Sequence, residues 1–375
     1  MKLRSLTFAV ATCLGVSLLG AVVPAAAIAS TPIGAAAPTA SSAPVTSGSY
    51  LAVVEHGPDA EYGGIAARSQ QLLLVSPSGG TSEVYSRKVS PTFGGFTLLD
   101  WSVDGRTALL TFTRKTGSRV VAVDLATGTT EELEVPLLST AVLDPAGTGI
   151  LAATWKGRES NTQVLDRISW SGTRTRLLGG TSGSLLAGRD GTVLTTAVGH
   201  GRVQLLLSAS TGAVVNRIHT PGYCNLVRWW DATRVLATCG NHSDLYLLDP
   251  ATGSTDRLTK GHGRGDYGHM DARYAGDRLY VQAAGACGYT FVARVTPGGT
   301  RQLKVPGAVG SVVMVDAVGD DLVLEHAASC DGDRPRAVLS LFDPVHHTER
   351  PLVTLGRHEG FGAIRVLGEV RASAY

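Results

Sequence analysis

Val121-Ala-Val-Asp-Leu-Ala-Thr-Gly-Thr-Thr130 and Leu245-Tyr-Leu-Leu-Asp-Pro-Ala-Thr-Gly-Ser254 are the clearest copies of a phrase that returns about seven times between residues 70 and 350. Each copy is a run of β-formers that stops at a glycine-containing turn, the pattern of a strand entering a hairpin. A self-similar unit of roughly 40–50 residues is the mark of a repeat architecture. Such a unit has room for four short strands and little else.

A second kind of turn precedes each phrase. Its copies are Val103-Asp-Gly-Arg106, Asp144-Pro-Ala-Gly147, Arg189-Asp-Gly-Thr192, Asp231-Ala-Thr-Arg234, Ala275-Gly-Asp-Arg278 and Val318-Gly-Asp-Asp321, six in all. The turns inside the phrase lie at Gly79-Gly80, Thr127-Gly128, Ser171-Gly172, Thr211-Gly212, Thr252-Gly253, Gly298-Gly299 and His346-His347, seven in all. The unit around Gly79-Gly80 therefore lacks an opening strand, while Ala363-Ile-Arg-Val-Leu367 is a strand without a unit. Setting that segment beside Tyr50 to His56 completes the first unit from both ends of the chain and removes the open sheet edges. The expected fold is all-β. It is a seven-bladed β-propeller of four-stranded antiparallel blades over residues 49–375, closed by a C-terminal strand completing blade 1.

The repeat is similar to a known family. Trp101-Ser-Val-Asp-Gly-Arg-Thr-Ala-Leu-Leu110 followed by Val121-Ala-Val-Asp-Leu-Ala-Thr-Gly resembles the TolB-like propeller repeat of exported bacterial proteins, most closely over residues 98–135 and 226–260. The resemblance implies a scaffold, a sensor or a substrate-gating domain, and so it specifies little about activity.

The remaining sequence sets the compartment. Lys2 and Arg4, the apolar run Leu6 to Val23 and the small-residue site Ala27-Ile-Ala29 make residues 1–29 a signal peptide of the Sec type, so the chain is expected to be secreted. Residues 30–48, almost wholly Ala, Ser, Thr, Pro and Gly, read as a flexible linker. The 33 basic and 31 acidic residues come into balance once Lys2 and Arg4 leave with the leader. Such a balance argues against nucleic acid as a partner. No later apolar run is long enough to span a membrane, and the mature chain is expected to be a monomer. The 27 arginines against 6 lysines fit the codon usage of a GC-rich, actinobacterial genome.

Cysteines and histidines are the candidate chemistry. Cys224, Cys239, Cys287 and Cys330, an even number in an exported chain, predict disulfides. Cys224 and Cys239 lie symmetrically about the turn centred between Asp231 and Ala232, which pairs them directly across a hairpin. Cys287 and Cys330 occupy equivalent middle loops of neighbouring blades, where they would form a staple. Glu55, His56, His200, His242, His269, Glu325 and His326 fall on the middle-loop and blade-connection face, as do His262 and His358. Imidazoles beside carboxylates suit a divalent metal or acid–base work. Yet loops collect polar residues anyway, and Glu-His in two blades is equally explained by repeat ancestry. No Gly-x-Ser-x-Gly, His-Glu-x-x-His or phosphate-binding loop is present, Arg264-Gly-Asp266 is a chance-level tripeptide, and no cofactor is called for.

Two functions fit. The first is a binding scaffold for a protein or cell-envelope component. The alternative is a metal-assisted hydrolase or lyase, lactonase-like, built from the seven Glu and His candidates.

Overall fold

A computed structural model describes residues 45–371 apart from 59–65, 90–93, 115–116, 158–159, 161, 189, 200–201, 241–242, 264 and 327–335. The described chain is almost entirely β. The first strands are β1 (Tyr50–His56), β2 (Ser69–Val75) and β3 (Thr81–Lys88). β4 (Phe96–Trp101), β5 (Thr107–Arg114), β6 (Gly117–Asp124) and β7 (Thr130–Val135) follow. Next come β8 (Leu138–Leu143), β9 (Gly149–Trp155), β10 (Gln163–Ser169), β11 (Arg174–Ala187), β12 (Thr192–Ala197), β13 (Val203–Ser208) and β14 (Val214–His219). β15 (Cys224–Trp229), β16 (Val235–Cys239), β17 (Asp244–Leu248) and β18 (Thr255–Arg257) form the next group, then β19 (Gly268–Ala275), β20 (Arg278–Ala284), β21 (Thr290–Thr296) and β22 (Gly299–Gln302). β23 (Val312–Val318), β24 (Asp321–His326), β25 (Val338–Asp343), β26 (Thr348–Thr354) and β27 (Glu359–Val366) complete the series.

These strands make five four-stranded antiparallel sheets and one sheet of seven strands, β8 to β14. Every turn singled out in the sequence falls between two paired strands. The four-stranded sheets are propeller blades, and the closure expected from the two chain ends is present: β27 pairs antiparallel with β1, Tyr50 opposite Val366 and His56 opposite Glu359. The seven-stranded sheet departs from the expected separate blades. β11 runs unbroken through Gly179-Gly180, so that Thr181 pairs with Gln163 of β10 on one side and Ala197 of β12 on the other. The strand turns its course at a register slip between Ser182 and Leu185, where Gly183 takes φ +84°. Glycine reaches that conformation without the steric penalty a Cβ would bring.

The core is divided among the joints between sheets. Leu51, Leu72, Phe96 and Leu110 join the β1–β3 sheet to the β4–β7 sheet, and Leu109, Val120, Ala141 and Ile150 join that sheet to β8–β10. Leu185, Leu194, Leu226 and Val235 carry the ring to β15, Leu236 and Leu245 with Val281 and Ala283 to β20, and Tyr280 with Leu322 and Phe342 to β24. Val323 and Leu339 against Tyr50, Ala52 and Val366 return it to the first sheet. A closed ring of modest joints explains how a chain this long is stable without one large core.

The first strand of each four-stranded sheet, with β8 and the second half of β11, carries one further irregularity. Each slips register against its partner, after Leu98, Leu138, Ser182, Leu226, His269 and Met314, while β27 slips against Val53/Val54 of β1. Polar side chains follow the slips and reach the next sheet. Leu143 N–H donates to Asp100 Oδ2 at 2.8 Å, Leu226 N–H to Ser184 Oγ at 2.9 Å, and Arg228 Nε to Asp271 Oδ1 at 3.0 Å.

The segment after β27 extends across this ring. Trp229 N–H donates to Val370 O at 3.0 Å, Arg371 bridges to Arg228 of β15, and Val370 is buried in the core that includes Leu226. Glu369 accepts from Arg273 and pairs with Arg228 at 3.1 Å, while Arg371 pairs with Asp271 and with Glu369 at 2.9 Å. At the other end, residues 45–48, which composition placed in the flexible linker, dock on the first joint through Val45. Val45 is the apolar residue of that stretch, so it has surface to bury.

Candidate functional site

The connection from β18 to β19 is Leu258 to Tyr267, and its glycines let it fold back on the protein. A side chain at Gly263 would place Cβ about 2.2 Å from Thr300 O, so only glycine allows the contact in which Gly263 N–H donates to Thr300 Oγ1 at 2.8 Å. This approach buries Asp266. Its Oδ1 accepts from Gly268 N–H at 3.0 Å and meets His262 Nδ1 at 3.2 Å. Its Oδ2 accepts from Thr300 Oγ1 at 2.6 Å and meets His269 Nε2 at 2.9 Å. Burial opposes ionisation of Asp266, but the hydrogen bonds from His269 and Thr300, the His269 charge and the Gly268 N–H outweigh it and hold the carboxyl well below the usual range.

Asp244, at the start of β17, completes the group. Its Oδ1 lies 3.3 Å from His262 Nε2 and its Oδ2 accepts from Arg257 at 2.6 Å. His269 is fully buried, its Nδ1 2.9 Å from Thr259 Oγ1, and its ring lies against that of His262 with centroids 4.5 Å apart. Thr259 Oγ1 also accepts from Leu245 N–H at 3.0 Å. Donor atoms of Asp244, His262 and His269 all fall within 4.8 Å of one another, the only such group of three among the described residues. Two imidazoles and a carboxylate are ligands for a borderline divalent metal, or an acid–base pair with an orienting aspartate.

Of the five described Glu and His residues among the seven proposed from sequence, His269 alone joins this group, and its partners come from outside that set. Glu55 accepts from Gln70 Nε2 at 2.9 Å, whereas His56 faces the other way, with Gln71 at 2.8 Å and Glu359 at 2.9 Å. Glu325 and His326 are split in the same manner. Burial pushes the Glu325 carboxyl up to about 7, and His326 sits 3.0 Å from Glu349, its imidazole lowered by burial against the opposing pull of that carboxylate. Adjacent residues of a strand point to opposite faces of the sheet, so a Glu-His dipeptide cannot present both groups to one ligand. His200 and His242 lie outside the described residues. Asp266 was missed because an aspartate in a glycine-rich connection reads as a solvated loop. The available signal was its spacing of three from His269.

The Cys224–Cys239 disulfide predicted from register is present, with Cα atoms 4.1 Å apart at directly opposed positions. It fits an oxidising, extracytoplasmic setting. Cys287 is exposed on the turn Ala286–Gly288, while Cys330 lies outside the described residues, and with it the second predicted bridge. The adjacent tryptophans both serve joints between sheets: Trp229 Nε1 donates to Ala187 O at 2.8 Å, and Trp230 meets Tyr274 edge-on at 5.7 Å. Tyrosines just before β15 and β19 behave differently. Tyr223 is 52% and Tyr267 67% exposed, although both are held by their backbones. Gly240 N–H donates to Tyr223 O and Tyr267 N–H to Ala284 O, each at 2.9 Å.

No protein-family profile matches the chain, and no curated protein matches it in sequence. Solved structures do resemble it. The periplasmic gluconolactonase of Pseudomonas aeruginosa aligns over 85% of this chain and 99% of its own, at 12% identity and TM-score 0.51. TolB of Acinetobacter baumannii aligns over 85% of this chain and 66% of its own, at 13% identity and TM-score 0.49. An oligogalacturonate lyase of Vibrio parahaemolyticus aligns over 82% and 87%, at 10% identity and TM-score 0.47. The likeness is one of fold, and the chemistry of these proteins does not transfer with it. Among the described residues no helix is long and apolar enough to cross a membrane.

Proposed function

We propose that this chain is an exported TolB-like propeller that binds a protein or cell-envelope component through the end of the ring carrying Tyr223 and Tyr267. In this reading residues 1–29 direct export and the linker tethers a seven-bladed ring. The count of seven follows from treating β11 as the outer strand of one blade and the inner strand of the next.

The observation that carries the proposal is the pair of exposed tyrosines at matching places in neighbouring units. Large apolar rings with a polar tip are effective anchors when their backbone is already ordered, because little entropy is then lost on binding. Tyr223 gains that order from the adjoining Cys224–Cys239 bridge and Tyr267 from its bond to β20. The hydrolase or lyase reading has less support, since Glu55, His56 and His326 each keep a separate set of partners.

Sedimentation with an insoluble cell-envelope fraction from an actinobacterium tests the proposal. The mature chain should pellet with that fraction, and a Tyr223→Ala/Tyr267→Ala double variant should lose at least about tenfold in retention. That loss corresponds to two anchors worth together roughly 1.4 kcal/mol or more. Equal retention of both proteins, or no retention of either, would contradict it.

A further inference from the structure

We propose that a cavity beside the end of β22 binds a sugar that carries an anionic group. The site shares no residue with the tyrosine pair, Tyr223 and Tyr267, and stands whether or not they anchor a partner.

The cavity exists because β22 stops early. β21 has seven residues and β22 only four, so Thr290 to Val292 have no partner in β22. The chain turns back instead at Gly307 and Gly310, which take φ +71° and +86°, and the connection from Leu303 to Ser311 arches over that stretch. Both ends of the arch are tied to β21. Leu303 N–H donates to Val292 O at 2.9 Å, while Thr290 donates through its N–H to Ser311 Oγ at 3.1 Å and through its hydroxyl to Val312 O at 3.2 Å. The arch encloses about 440 Å³, a volume in the range of small-ligand sites. Its walls are already bonded together, so little order has to be gained on binding.

The lining suits a carbohydrate. The Tyr289 ring lies against Phe291 with centroids 6.1 Å apart and planes at 27°, and Gln302 Nε2 donates to the Tyr289 hydroxyl at 3.4 Å. An aromatic ring packs against the C–H face of a sugar, while an amide and a phenol reach its hydroxyls. Lys304 is the one charged residue of the lining, and it is exposed. Charge selects an acid among sugars. From Arg278 to Val315 the chain has four basic residues and no acidic one, although its charges as a whole nearly cancel. Among the described residues Arg294, Arg301 and Lys304 form no ion pair with a carboxylate. Arg294 stands directly opposite Arg301 across β21 and β22, where like charges repel. An anionic group held at Lys304 gains from the field of that pair as well.

Calorimetry and saturation-transfer NMR on the mature chain at low ionic strength provide the test. Glucuronate and glucose phosphate are the charged probes, because a carboxylated and a phosphorylated sugar present the same chemistry. Glucose and inorganic phosphate are the neutral and the sugar-free controls. At least one charged sugar should bind about fivefold or more tightly than either control, the scale of one solvent-facing charge-assisted hydrogen bond, and the tighter of the two identifies the anionic group. Lys304→Gln should remove that advantage, and Tyr289→Leu should weaken binding of the charged sugars and of glucose alike. Lys88→Gln, at an exposed position of β3, should bind as the parent does. Added salt should weaken the charged sugars on the parent and have little effect on Lys304→Gln. Circular dichroism checks folding, and Tyr289→Phe, which loses only the hydroxyl, replaces Tyr289→Leu if that variant does not fold. Absence of binding, no preference for a charged sugar over glucose, or inorganic phosphate binding as tightly as the charged sugars overturns the proposal. A preference that survives Lys304→Gln overturns it too.

Discussion

A chain shortened by deletion of residues 360–375 does not reach the native state. The deletion removes nearly all of β27, which is a whole strand of the first sheet and not a trimming at its edge. β1 loses its partner along the register from Tyr50 to Glu55, and its backbone groups become an open template for association. Tyr50, Ala52 and Val323 lose the cover of Val366, and the core around Leu226 loses Val370. Glu369 and Arg371 also disappear together, so that the buried Arg228 and Arg273 lose a shared carboxylate and keep only Asp271 and Asp316. Domains are ordinarily stable by only about 5–15 kcal/mol, which leaves little room for the loss of a whole strand, its core contacts and buried ion pairs. Size-exclusion chromatography and near-ultraviolet circular dichroism should show aggregate or a loosely packed species. A monomer with a native spectrum and a cooperative urea transition would contradict the closure.

Asp271→Ala is the single substitution with the largest expected cost. Asp271 is buried between Arg228 at 3.0 Å, Arg371 and Arg273 at 3.8 Å. Burial alone would raise its pKa, but Arg228, Arg273 and Arg371 outweigh that and hold the carboxyl well below the usual range. Removing it leaves three arginines around Glu369, the arrangement in which breaking a buried ion network costs about 3–5 kcal/mol. The urea midpoint should fall accordingly. Arg119→Ala, which disrupts the solvent-facing pairs with Glu132 and Glu134, should cost no more than about 1 kcal/mol. Acid provides a second check. A carboxyl whose folded pKa is depressed contributes stability above its unfolded pKa, near 4, and loses that contribution as pH falls toward the folded value. The gap between parent and Asp271→Ala should therefore narrow below about pH 4. A difference under about 1 kcal/mol at neutral pH would show that Glu369 and the backbone carbonyls suffice to neutralise the arginines.

What was legible in the sequence was local. Hairpin turns are written in glycine and aspartate because the backbone demands them, and so Thr127-Gly128 or Asp231 to Arg234 could be placed without a structure. Register follows from a turn centre by symmetry, which is why Cys224 and Cys239 could be paired. The mismatch between the two kinds of turn exposed the closing strand. Gly179-Gly180 misled in the opposite sense. A glycine pair ordinarily ends a strand, yet here β11 continues through it, held on both flanks by Gln163 and Ala197. The candidate site was legible only in part, because it depends on the fold-back of the Leu258–Tyr267 connection onto Thr300, a contact between residues far apart in sequence. His269 was noticed as a histidine in a connection. Only the spacing of three between Asp266 and His269 hinted at a companion, and nothing in the sequence pointed to Asp244. The charged network of Arg228, Asp271, Arg273, Glu369 and Arg371 was equally hidden, since it forms only where the residues after β27 cross to β15.

The central claim is that the ring is held shut by β27 and by the residues that follow it. Native-state hydrogen exchange reports on this directly, because the free energy of opening is read strand by strand. Amides of β27 and the Val370 region should exchange only through global unfolding, with the same opening free energy as β19 and β23. Exchange of β27 through a separate low-energy opening, while the other strands stay protected, would mean that the ring stands without its closure.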